Sequence, residues 1–73
     1  MNAISTQDEK FVIFFKALAD GTRLKIIGLL AQHAYSVEEL AALLNLRPST
    51  ISHHLSRLAA AGLVFRRGLE ERR

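Results

Sequence analysis

"STISHHLSRL", residues 49–58, is the stretch whose reading decides the fold. Ile51, Leu55 and Leu58 recur at helical spacing, and hydroxyls, two histidines and an arginine fill the positions between them. Pro48 suits the first helical position, where its missing N–H costs nothing. Gly62 suits the stop, because a helix often ends on a residue that takes a left-handed backbone. With Ile51, Leu55, Leu58 and Gly62 turned inward at roughly 100° per residue, Ser49, Thr50, His53, Ser56, Arg57 and Ala60 face outward. No acid lies on that outer side. A helix that is merely solvated usually carries Glu and Lys in i,i+4 pairs, and this one carries none. Short hydroxyls beside an arginine let a helix press into a DNA major groove, whose base edges offer acceptors to Arg or His.

The adjacent histidines raise two other chemistries. Neighbours on a helix stand about 100° apart and do not readily converge on one ion. His53 is expected to point outward, and His54 to lie on the flank, bonded to a neighbouring helix or to backbone. His33 stands alone, and the chain has no cysteine to complete a ligand set. No Ser/His/acid constellation and no glycine-rich phosphate loop is present. The pattern calls for no metal, no cofactor and no enzyme activity.

Working outward, Thr6 with Glu9 has capping-box spacing and opens a first helix through about Ala19. Asp20 caps a second, "GTRLKIIGLL", with Leu24, Ile27, Leu30 and Ala31 as its apolar stripe. Gly28, costly inside a helix by about 1 kcal/mol relative to Ala, is read as the mark of a close helix crossing. "HAYS" is an extended link, a candidate short strand. Ser36 with Glu39 repeats the capping box and starts a third helix carrying Val37, Leu40, Ala41 and Leu44. Only "NLR" separates it from the helix that begins at Pro48, the arrangement of a helix-turn-helix. Beyond Gly62, "LVFRR" reads as a strand, "GLEE" as a turn, and Arg72-Arg73 as the start of a returning strand. The expected fold is mainly α: one winged helix-turn-helix domain over residues 1–73, with four helices plus a short β-hairpin wing. The wing is incomplete at the C-terminus, so the sequence reads as a piece of a longer protein.

Composition agrees with one small folded domain. Hydrophobic residues make up 49% and charged residues 23%, too apolar for a disordered chain. No apolar run approaches the roughly 20 residues that span a bilayer, and "FVIFF" at 11–15 lacks the flanks of a signal peptide. A cytoplasmic location is the default. Net charge is +3, unevenly placed. Residues 1–46 hold Lys10, Lys16, Arg23 and Lys25 against Asp8, Glu9, Asp20, Glu38 and Glu39. Residues 47–73 hold Arg47, Arg57, Arg66, Arg67, Arg72 and Arg73 against Glu70 and Glu71. The C-terminal part is thus a patch of arginine, the cation suited to bidentate phosphate and guanine contacts.

"FKALADGTRLKIIGLL" and "SVEELAALLNLRPSTISHHLSRLAAAGLVFRRGLE" together resemble the ArsR family of bacterial winged helix-turn-helix repressors. The resemblance covers nearly the whole chain from Phe11. It implies a transcriptional regulator that binds a palindromic double-stranded DNA operator as a homodimer. Ser49, Thr50, Ser52 and His53 match the family's DNA-facing positions, and Arg57 extends that face. Arg66 and Arg67 match the base of the wing, and Arg72 and Arg73 approach its return, as phosphate or minor-groove contacts. Arg47 stands where the family often has a small capping residue, and is read as a phosphate contact. Two departures matter. The cysteines with which many members sense metals are replaced by "YSVEEL". A final metal-binding helix would lie beyond Arg73.

Five consecutive apolar residues cover every side of a helix. Either Phe11, Phe14, Phe15 and Leu18 are core with Val12 and Ile13 singly exposed, or the spare face packs on another body. The family pattern favours the second, with Phe11, Val12, Ile13 and Phe15 as a dimer or domain interface, and a further C-terminal domain or helix as a partner. Two alternatives to DNA reading stay open: a winged-helix protein-interaction module whose basic patch meets an acidic partner, and a metal sensor whose ligands lie outside these residues.

Overall fold

A computed structural model describes residues 6–64 of the chain. Four helices follow one another: α1 (Thr6–Leu18), α2 (Gly21–Gln32), α3 (Val37–Leu44) and α4 (Pro48–Ala60). α3 packs on α4, α2 packs on α1 and α4, and α1 also reaches α4.

Each boundary has a local cause. Asp20, in extended backbone, accepts the Arg23 N–H at 3.0 Å and so caps α2. Ser36 and Glu39 form a reciprocal capping box at α3: the Glu39 N–H donates to the Ser36 hydroxyl and the Ser36 N–H to the Glu39 carboxylate. Asn45 stops α3 by turning left-handed, φ 57°. The next amide, Leu46, then donates back to the Ala41 carbonyl at 2.9 Å. Pro48 opens α4. At its far end Gly62 takes φ 77°, while the Gly62 and Leu63 amides donate to the Ala59 and Leu58 carbonyls. That paired closure satisfies carbonyls the helix leaves open and presses Leu63 onto the core.

The core is small. Ile26, Leu40, Ile51 and Leu58 are fully buried, joined by Ala17, Ala41 and Leu55. α3 and α4 supply five of these seven residues. Burying an aliphatic side chain of this size stabilises by about 1.5–3 kcal/mol, so the unit rests chiefly on the α3–α4 pair.

Four expectations need correction. Thr6 is already helical, part of α1 and not its cap. The α2 stripe is rotated: Ile26 is buried, Ile27, Leu29 and Leu30 are half-buried, and Leu24 and Ala31 are exposed. Gly28 marks no crossing, since a Cβ built on it would meet nothing within 4 Å. The link 33–36 is extended at His33 but is not a strand. No strand occurs among the described residues. The wing, with Arg66, Arg67, Arg72 and Arg73, lies outside them apart from its first expected residues, Leu63 and Val64, which pack against the core.

Candidate nucleic-acid interface

α4 is held from beneath by Ile51, Leu55 and Leu58, and this fixes what it presents above. Ser49, His53, Ser56, Arg57 and Ala60 are exposed, and Thr50 and Ser52 are half-buried. The Arg57 Nε donates to the His53 Nε2 at 3.2 Å, four residues back, which aligns imidazole and guanidinium along one line of the helix. The His53 and His54 rings lie 6.2 Å apart, tilted by 59°. Arg47 occupies the N-cap position and makes no side-chain cap bond, and the first turn of α4 carries no acid. Its amides and the positive end of the helix dipole therefore face outward beside a cation, a setting that attracts anions.

His54 is half-buried. Its Nδ1 meets the Arg23 NH1 at 3.3 Å. Arginine has only donors, so the imidazole nitrogen is the acceptor. The expected tie to a neighbouring helix is thus present, and its partner, Arg23, is a residue that sequence reasoning missed. Arg23 lies three, four and seven residues before Ile26, Ile27 and Leu30, on the inward side of α2. A cation on the buried side of a helix was the available signal. The same guanidinium donates from Nε to the Ala17 carbonyl at 2.7 Å and from NH2 to the Lys16 carbonyl at 3.1 Å. The Arg23 backbone N–H, more than any other influence, holds the Asp20 carboxyl below its ordinary range. Burial opposes this, while the charge of Arg23 adds to it.

On α1, Phe11, Val12, Ile13 and Phe15 are all exposed, Phe15 at 62%. The first alternative for this run therefore fails for Phe11 and Phe15, which are not core. Phe14 and Leu18 are half-buried, and Phe14 packs edge-on against Phe15 with ring centres 5.4 Å apart. Among the described residues no group of three or more His, Cys, Asp or Glu side chains is placed to hold a metal ion. No helix of the described residues is long and apolar enough to cross a membrane.

Residues 20–65 match the model of the bacterial regulatory protein, arsR family. The chain is 42% identical over 55 residues to the transcriptional activator HlyU of Vibrio cholerae, covering 75% of this chain and 51% of that protein. It is 39% identical over 58 residues to a transcriptional repressor SmtB homolog of Synechocystis, covering 80% and 44%. Over 53 residues it is 51% identical to a putative arsenical resistance operon repressor ArsR of Halobacterium salinarum, covering 70% and 41%. The chain spans about half, or less, of the length of these relatives. No solved structure matches it.

Proposed function

The chain belongs to the arsR family of bacterial regulatory proteins, a family of transcriptional regulators and not of enzymes, and on that premise we propose that α3 and α4 act as a helix-turn-helix that reads double-stranded DNA. α4 enters the major groove. One observation carries this reading: the outer face of α4, with Ser49, His53 and Arg57 exposed, is small, hydrogen-bonding and cationic, and has no acid.

The dimensions agree. A helix about 10–12 Å across fills a groove about 12 Å wide only if its leading side chains are short. Ser49, Ser56 and Ala60 meet that condition. Arg57 and His53, linked to each other, then reach guanine acceptors, while Thr50 and Ser52 serve bases or phosphates from the flanks. Arg47 and the α4 amides meet a phosphate at the entrance. Arg66, Arg67, Arg72 and Arg73 add further phosphate or minor-groove contacts through a wing.

The exposed apolar face of α1 supports a homodimer joined through Phe11, Val12, Ile13 and Phe15. Two reading helices related by a two-fold would enter successive grooves about 34 Å apart, so the operator is an inverted repeat. Such a dimer over a promoter represses by occlusion, in the cytoplasm, where the DNA is. Two of the relatives above carry repressor names and one an activator name.

Binding by gel shift across a salt titration tests the assignment. His53→Ala or Arg57→Ala lowers affinity for a selected duplex by about 1–3 kcal/mol and leaves random duplex binding nearly unchanged. Arg66→Ala with Arg67→Ala weakens every duplex alike and flattens the salt slope by about 0.9 per lost contact. No shift of any duplex at micromolar protein and low salt would sink the reading and favour a protein-interaction module.

A further inference from the structure

Arg23 touches the ends of two helices and the flank of a third. Its guanidinium donates to the Lys16 and Ala17 carbonyls at the C-terminal end of α1, and its NH1 meets the His54 Nδ1 on α4. Its own amide is the one Asp20 caps at the start of α2. Both carbonyls lie at the negative end of the α1 dipole; the Lys16 carbonyl also accepts the Ala19 N–H at 3.2 Å, so Arg23 uses its second lone pair. A planar fork of donors serves several acceptors at once from one side chain, which an ammonium cannot do with the same geometry.

The contact with His54 differs in kind from the rest of what holds α4. Ile51, Leu55 and Leu58 bury apolar surface, and burial is non-directional. It keeps the helix down and decides which side of it faces out, but tolerates small rotations about the helix axis. A hydrogen bond loses its strength away from a narrow range of distance and angle, so one bond on the flank restrains that rotation. His54 is next in sequence to His53, and their rings are 6.2 Å apart. Within the outward face that the buried stripe leaves, the fine direction of His53 and Arg57 is therefore trimmed by where His54 is tied.

We propose that Arg23 is a positioning residue for DNA recognition: it clamps the end of α1 and, through His54, trims the rotation of α4 about its own axis. This rests on the reading of α4 as the helix that reads DNA.

The test uses the intact protein and a duplex enriched from a random pool by the parent, with a scrambled duplex as reference. His54→Ala is expected to lower the selected-over-scrambled affinity ratio about three- to tenfold, the range of one hydrogen bond. The salt slope and the thermal midpoint should stay near the parent's. His54→Asn places an amide oxygen where Nδ1 stood, two bonds from Cβ, and is expected to restore most of the ratio. Arg23→Lys keeps the charge without the fork and should resemble His54→Ala, the two losses combining to less than their sum. A ratio unchanged in His54→Ala, or fully additive losses, would overturn the clamp. So would an Asn variant no better than Ala. A parent that enriches no sequence would overturn the DNA reading itself, and the two failures are thereby told apart.

Discussion

α1 and α4 are both thirteen residues long, and they use their apolar residues in opposite ways. α4 has few large ones, spaced so that all of them go under: Ile51, Leu55 and Leu58 are buried and the outer face is left for polar groups and small Ala60. α1 has many, and buries almost none, with Ala17 its one buried residue among those whose burial is described. Hydrophobicity alone would rank α1 as the core helix. The periodicity of polar residues, not the amount of apolar surface, decides which helix anchors a domain this small. α1 is then the helix whose apolar surface stays exposed.

The contrast is broken or sharpened first at Ile51. Ile51→Ala removes a fully buried side chain and is expected to cost about 2–5 kcal/mol. In a domain of this size that is a large share of the whole. Equilibrium denaturation should show it as a lowered midpoint. A cost under about 1 kcal/mol would mean that α4 is not the anchor.

Phe11→Ser combined with Phe15→Ser probes the other side. Each exposed ring is expected to change the stability of the single chain by no more than about 0.5 kcal/mol, while self-association measured by sedimentation is abolished. If the double variant melted far below the parent at every protein concentration, the rings would belong to a core after all.

The smallest effect is visible only in acid. The Asp20 carboxyl is held below its ordinary range by the Arg23 amide. Its contribution is therefore complete above the unfolded value of about 3.9 and fades as pH falls through the lower folded value. Asp20→Asn keeps an oxygen at the cap but has no proton to gain. The parent-minus-variant difference in unfolding free energy should be flat above pH about 4 and shrink below it. A difference that grew with acid would reverse the sign and discard the cap as its cause.

These two helices also show what could be read from the residues alone. The α3–α4 unit was legible because its signals are local: Ser36 with Glu39, Pro48, Gly62, and a stripe that polar neighbours leave no choice about. The exposure of Ser49, His53 and Arg57 follows from that stripe. α2 was not legible in its rotation, because Leu24, Ile26, Ile27, Leu29, Leu30 and Ala31 offer several stripes of similar quality. What separates them is Arg23, whose inward direction is fixed by carbonyls of α1 and by His54, 31 residues away. Spacing rules do not carry a partner at that distance. Gly28 was misread for a related reason: a missing side chain signals a close approach only if something approaches.

Asn45 has a consequence for how such a domain can change. The bend between α3 and α4 is made by the handedness of one residue and closed by main-chain bonds to Ala41 and Ala42. None of the side chains that project from the outer face of α4 takes part. If α4 reads DNA as proposed, target preference and mounting angle are therefore separately adjustable: the exposed alphabet of α4 is free to drift toward a new site while its bracket stays the same.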